Sequence, residues 1–232
     1  MLNVVCLKHG RKYGPEYVNK LHNMVLRHLT IPFNFTCFTE DPKNLDPRIH
    51  IKVLPSNPNI NGWWWKPYIF KEGHFPNGDT ILFFDLDMVI INNLNNLATY
   101  LPDQFVGLED VGRVFRKHPQ KLGSAVLKWP ANKYSNTWNL IEADPKITSR
   151  FRGDQDWIWS LHRDNIQFFP EEWIRSYKWE IRSKSELVHN GSKYVFRDIK
   201  NPVINPATSV LAFHGTPNPE DVQDPIIVDN WR

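Results

Sequence analysis

Cysteine is scarce in this chain: of 232 residues only Cys6 and Cys37 carry a thiol, and both sit inside apolar runs. Two such residues cannot make a disulfide scaffold, and they read as small buried hydrophobes. A bridge between neighbouring strands would need an oxidising compartment, of which the sequence carries no sign. An excess of one charge is also missing. Lys and Arg number 28 against 25 Asp and Glu, a formal charge of +3, with no long basic run. That balance gives no electrostatic footprint for nucleic acid, and none is expected as a partner. No apolar window reaches the length of a transmembrane segment. The opening MLNVVCLKHG has a short apolar part and no basic leader, so it reads as a first strand and not as a signal or an anchor. A cytoplasmic location is the expectation. Internal repeats, low-complexity tracts and linkers are absent too, which leaves one domain over 1–232, with about 217–232 as a Pro-rich tail lying over it or partly disordered.

Aromatic residues are abundant. Ten Trp, 14 Phe and seven Tyr make up 13% of the chain, and Trp63-Trp64-Trp65 are consecutive. Core packing accounts for most of them; a flat platform for a sugar ring or a nucleobase is the sharper alternative.

The apolar pattern alternates between strand and helix. Leu2 to Leu7 is a Val-rich run consistent with a buried strand. Pro15 opens a helical stretch in which Tyr17, Val18, Leu21, Met24, Val25 and Leu29 fall at helical spacing, and Pro32 closes it. Phe33 to Thr39 and Ile49 to Leu54 read as strands. Trp63 to Lys71 reads as a helix, and Thr80 to Phe84 as an apolar strand. Gln104 to Leu108 and Ser124 to Trp129 follow as strands, Asn132 to Ala143 and Asp154 to His162 as helices, and Ile166 to Phe169 and Ser209 to Phe213 as short strands. The expected class is α/β: a Rossmann-like domain with a central mixed, mainly parallel sheet flanked by helices.

The strongest chemical signal is Ile81-Leu82-Phe83-Phe84-Asp85-Leu86-Asp87, an apolar strand running into two acids. In extended chain, positions i and i+2 point the same way, so Asp85 and Asp87 are expected to share a side. Two close carboxylates repel unless a cation lies between them, and an oxygen-seeking ion such as Mn²⁺ or Mg²⁺ meets that demand. A surface turn after a strand is the bland alternative. Haloacid-dehalogenase phosphatases also place an apolar strand before Asp-x-Asp, with the first Asp as nucleophile. Here 84 residues precede Asp85, and Met88-Val89-Ile90 follow the motif, unlike that family.

Three further features carry chemistry. His214, between Phe213 and Gly215 at the end of a strand, is a candidate third metal ligand. Asp154 and Gln155 open a helix after Gly153; Asp154 can serve as its cap, or the pair can hydrogen-bond sugar hydroxyls. Lys66 follows the Trp run; beside a diphosphate it would offset charge developing on a leaving group.

Taken together these segments resemble the family 8 glycosyltransferases and related GT-A enzymes. LNVVCL resembles that family's first strand, PFNFTCFTED its second strand ending in acid, FFDLDMVI its D-x-D strand, LGSAVLKW the donor-pocket segment, GDQDWIW its Asp-Gln segment and AFHG its closing metal histidine. The resemblance implies a GT-A fold and transfer from a nucleotide-sugar donor, with UDP as the nucleotide and retention of configuration. It implies Asp85, Asp87 and His214 as Mn²⁺ ligands, Asp154, Gln155 and Lys66 as catalytic residues, and Lys66 and Ser124 at the donor. It also implies Val5 and Leu7, with Asp41 or Glu40, at the nucleoside. The chain departs from the pattern at Gly123-Ser124-Ala125, where Asn-Ser-Gly is common. It also lacks the Lys-Pro that often follows His-Gly, and Arg11 or Lys12 could supply that charge. An inverting enzyme would need a carboxylate base, for which Glu109, Asp110 and Asp156 are candidates. The acceptor is left open between glycan, lipid, protein and small molecule. A phosphatase with Asp85 as nucleophile and a non-catalytic carbohydrate-binding protein stand as alternatives.

Overall fold

A computed structural model describes residues 1–115, 121–182, 188–190, 193–195 and 204–232. The strands are β1 (Leu2–Lys8), β2 (Phe33–Thr39), β3 (His50–Val53), β4 (Thr80–Phe84), β5 (Met88–Ile90), β6 (Phe105–Glu109), β7 (Leu122–Pro130), β8 (Ile166–Phe168), β9 (Ile174–Ser176), β10 (Val188–Asn190), β11 (Lys193–Val195) and β12 (Val210–Ala212). The α-helices are α1 (Pro15–His28), α2 (Asn95–Thr99), α3 (Asn136–Ala143), α4 (Ile147–Arg150), α5 (Asp154–His162) and α6 (Pro225–Val228).

Seven strands form the central sheet in the order β3-β2-β1-β4-β7-β6-β8. Only β7 runs against its neighbours, pairing antiparallel with β4 and β6, so the sheet is mixed and mainly parallel. Both faces are covered, and the strand period of two divides the core accordingly. Val4, Cys6, Leu82 and Phe84 point into one cluster with the apolar stripe of α1, including Val18, Leu21 and Val25. Val5, Ile81 and Phe83 point into a second cluster with Trp64, Trp65, Trp138 and Trp157. This second layer is the more aromatic of the two: Trp65 stacks on Trp138 and Phe70 on Trp129. Cys6 and Cys37 are opposite each other on β1 and β2, buried and unbridged.

One element differs from the sequence reading. The stretch predicted as a helix from Trp63 is a 3-10 helix over Gly62–Phe70. Pro67 lacks the N–H that an α-helix would use. Residues 217–232 pack onto the domain. Val222, Ile227 and Trp231 are buried in the first core cluster. Trp231 meets Tyr17 edge-on, and Arg27 donates to the carbonyls of Asn230 and Arg232. No helix among the described residues is long and apolar enough to cross a membrane.

A second, three-stranded sheet, β5-β12-β9, positions the site. Beyond β4 the chain makes a turn through residues 85–87 and re-enters as β5. β5 pairs antiparallel with β12, Met88 opposite Ala212, and β9 pairs parallel with β12, Ser176 opposite Ala212. The far carboxyl-terminal Phe213-His214 is thereby laid beside Asp87, and Phe213 N donates to Asp87 O at 3.3 Å.

Candidate functional site

Ligands in open α/β sheets collect beyond the carboxyl ends of parallel strands. β4 delivers Asp85 to that edge and β6 delivers Asp110. Because β7 is antiparallel, its first residues lie at the same edge: Phe84 faces Val126, and Asp85 N donates to Ala125 O at 2.8 Å. A cleft of about 360 Å³ opens there, lined among others by Asp85, Asp87, Ser124, Gln155, Trp179 and His214. Five of the candidate site residues, far apart in sequence, thus share one cavity.

Beneath the cleft lies a buried charge cluster. Lys66, 4% exposed on the 3-10 helix, places Nζ 3.0 Å from Asp85 Oδ1 and 3.1 Å from Asp154 Oδ2. The same ammonium donates to Ser124 O at 3.1 Å. Its three protons are therefore engaged by protein acceptors. Ser124 Oγ donates to Asp154 Oδ2 at 2.7 Å, so Asp154 faces inward. Burial pulls the Lys66 ammonium down, but Asp154 and Asp85 outweigh it and hold the pKa above its ordinary value. Burial pushes Asp85 up to about 7; Lys66 opposes this, while the charges of Asp87 and Asp154 add to it. Asp87 is also raised by burial, against the hydrogen bond from Tyr13 and the nearby Lys12 charge. Tyr13 OH donates to Asp87 Oδ2 at 2.8 Å.

The two D-x-D carboxylates reach the cleft from a turn, not from extended chain, and they have different partners. Asp85 faces Lys66 on the Trp-rich side of the sheet, and Asp87 faces Tyr13 on the α1 side. His214 lines the same cleft with Nε2 2.7 Å from Ser176 Oγ, and its ring packs 4.1 Å from that of Trp179. Burial, with Lys178, lowers the His214 pKa to about 4, so the ring is neutral at physiological pH and has a nitrogen lone pair to offer. Among the described residues, no three His, Cys, Asp or Glu side chains are gathered closely enough to hold a metal ion as they stand. The donor chemistry fits a divalent cation nonetheless. Two carboxylates raised by burial, one of them also by its neighbours' charges, face one cavity with a neutral imidazole, and a cation would relieve the repulsion.

The structure locates the remaining candidates as follows. Gln155 lines the cleft, receives Ser124 N on Oε1 at 3.4 Å and donates from Nε2 to Asp110 Oδ2 at 2.9 Å. Asp154 and Lys66 lie under the cleft wall and not on it. Of the three carboxylates considered as a base, Asp110 lines the cleft, Glu109 is buried on β6, and Asp156 is paired with Arg152 at 2.7 Å. Val5 is fully buried in the core, so its side chain cannot border a ligand, and Leu7 packs half-buried against the Trp layer. Asp41 is exposed, its Oδ1 accepting from Lys43 N. Glu40, not Asp41, lines a second cleft of about 340 Å³ beyond β1, β2 and β3, together with His9, Asn57, Asn61 and Trp65. Sequence reasoning missed Tyr13, Ser176 and Trp179. Tyr13 had a signal, its place in the turn directly after β1; the other two lie in short elements with no periodicity to mark them.

No family model matches the sequence, and no curated protein does. Solved structures do match in fold. The galactosyltransferase LgtC, in complex with donor and acceptor sugar analogues, aligns at a TM-score of 0.63 and 13% identity, over 94% of this chain and 88% of LgtC. An active-site glutamine-to-glutamate mutant of LgtC aligns at 0.64 and 12%, over 94% and 89%. The glycosyltransferase GlyE of Streptococcus pneumoniae TIGR4 aligns at 0.54 and 13%, over 75% of this chain and 47% of GlyE, so the chain spans about half of that protein. The chain has the GT-A-like, LgtC-like glycosyltransferase fold.

Proposed function

We propose that this protein is a metal-dependent glycosyltransferase that moves a sugar from a UDP-sugar to an acceptor hydroxyl with retention of configuration. The observation that carries the reading is the convergence of Asp85, Asp87, His214, Ser124 and Gln155 on one cleft at the carboxyl edge of an LgtC-like sheet. Asp85, Asp87 and His214 would hold Mn²⁺ (or Mg²⁺), which when bound supplies a Lewis acid for the donor's diphosphate. In the transfer, the bond between anomeric carbon and diphosphate oxygen breaks and one to the acceptor oxygen forms. The acceptor's proton leaves with the nucleoside diphosphate.

The chain's own residues have distinct tasks in this reading. Tyr13 fixes the Asp87 carboxylate through its hydroxyl. Lys66 is a positioning residue: it holds Asp85, Ser124 and Asp154 in one cluster and leaves direct contact with the donor phosphates to others. Lys12, exposed and close enough to act on Asp87, is the candidate cation for the diphosphate. Gln155, held by Ser124 and Asp110, presents an amide to the transferred sugar. Glu40 and His9, which line the neighbouring cleft, would border the nucleoside.

The test is UDP release from UDP-glucose and UDP-galactose in the presence of Mn²⁺. Turnover that disappears in Asp85→Asn and Asp87→Asn, with the fold intact, supports the reading. Equal turnover in wild type and both variants contradicts it.

A further inference from the structure

Ten Trp residues are described, and Trp63 is the one that stands exposed, at 60% of its surface. An indole facing water forgoes the burial that the others obtain. Its position is specific. In a 3-10 helix, positions i and i+3 align, so Trp63 and Lys66 belong to one face of Gly62–Phe70. Lys66 in turn grips Asp85, Ser124 and Asp154. From the other side, the indole lies across Gly153, the residue before Asp154 and Gln155. A Cβ built on Gly153 would sit 3.2 Å from Trp63 Nε1. A glycine here lets α5 begin directly against the ring.

We propose that Trp63 is the platform for a carbohydrate acceptor, its exposed indole stacking on the apolar face of a pyranose beside the Asp154-Gln155 end of α5. The chemistry is that of an amphipathic ligand. A pyranose offers a flat patch of C–H groups to the ring and hydroxyls at its rim, and the exposed Arg152–Asp156 pair flanks Gly153 to meet those hydroxyls. The inference rests on the transferase reading and narrows its acceptor to a glycan. In the transfer, the hydroxyl of the stacked sugar supplies the oxygen that bonds to the anomeric carbon. Its proton and the nucleoside diphosphate depart together.

The test is binding of lactose, cellobiose and maltose, followed by tryptophan fluorescence and ligand-observed NMR, on wild type, Trp63→Ala and Trp63→Phe. UDP affinity with Mn²⁺ is measured alongside. The expected result is saccharide binding by the wild type, a loss of about tenfold or more in Trp63→Ala, and partial recovery in Trp63→Phe. A wild type that binds none of the three sugars overturns the assignment, as does equal affinity in Trp63→Ala. A fall in UDP affinity matching the fall in sugar affinity also overturns it, because the ring would then hold the nucleotide. Absence of UDP binding in the wild type strikes the transferase reading instead, so the two failures are separable.

Discussion

Asp85 and Asp154, one at the end of β4 and the other at the start of α5, grip the same ammonium: Lys66 Nζ is 3.0 Å from the first carboxylate and 3.1 Å from the second. The pair of contacts ties the D-x-D turn to α5 through a side chain that is almost wholly buried. Removing the cation leaves two carboxylates facing each other with no counter-charge. Lys66→Met should therefore cost about 2–4 kcal/mol in denaturant unfolding, less than a fully buried pair, because the Asp85 side chain is 34% open to solvent and water screens part of the loss. A change below about 0.5 kcal/mol would contradict the structural role assigned to Lys66.

Much of this arrangement was legible in the sequence, for reasons that are local. β1, β2 and β4 are apolar runs with sharp ends, and the acids of the D-x-D motif stand directly after one of them. The apolar repeat of α1 and its Pro15 opening define that helix. The small sheet of β5, β9 and β12 was legible only in part, because strands of three residues carry no period, and their pairing joins segments far apart in the chain. Lys66 was expected beside a diphosphate, and nothing local shows that a 3-10 helix turns it into a buried cluster with Asp85 and Asp154. Which of two adjacent acids faces a cleft, and which face of a buried strand does, is not legible locally either: Glu40 lines the second cleft, and Val5 points into the core.

Tyr13 is the residue whose contribution to the cleft is best isolated. Its hydroxyl donates to Asp87, and Tyr13→Phe deletes that bond while keeping the ring. A hydrogen bond to a charged group is worth about 1.5–3 kcal/mol, so Mn²⁺-dependent UDP affinity should fall about tenfold or more. Calorimetry checks this; unchanged affinity would mean that Tyr13 does not order Asp87.

The acid side of the stability profile should report His162. This ring is buried, lies 2.7 Å from Thr137 Oγ1, and burial lowers its pKa to about 4. The unfolded chain binds a proton near pH 6.5 while the folded one refuses it until about pH 4, so stability falls as pH drops through that window. His162→Gln removes the titration. Its stability should vary less between pH 7 and pH 4 than that of the wild type, by on the order of 2–3 kcal/mol. Parallel curves for the two proteins would contradict the assignment.

Arg113 and Glu180 form a second buried ion pair, at 3.0 Å, that joins the segment after Asp110 to the segment carrying Trp179. Glu180 Oε2 also accepts from Ser176 N at 2.6 Å, so it steadies the residue that contacts His214. Glu180→Gln leaves the guanidinium without its closest counter-charge, although a neutral amide can retain part of the hydrogen bonding. A loss of about 2–4 kcal/mol is expected in urea unfolding. No measurable change would show that the pair does not brace these walls of the cleft.

On the proposed reading, Asp85, Asp87 and His214 form a cation-dependent donor site. Calorimetric titration with UDP, with and without Mn²⁺, on wild type and Asp87→Ala tests it most directly. The expected result is Mn²⁺-dependent binding by the wild type that is lost in Asp87→Ala while the protein remains folded. UDP binding that is indifferent to both the cation and Asp87 would contradict it, and so would the absence of UDP binding under every condition.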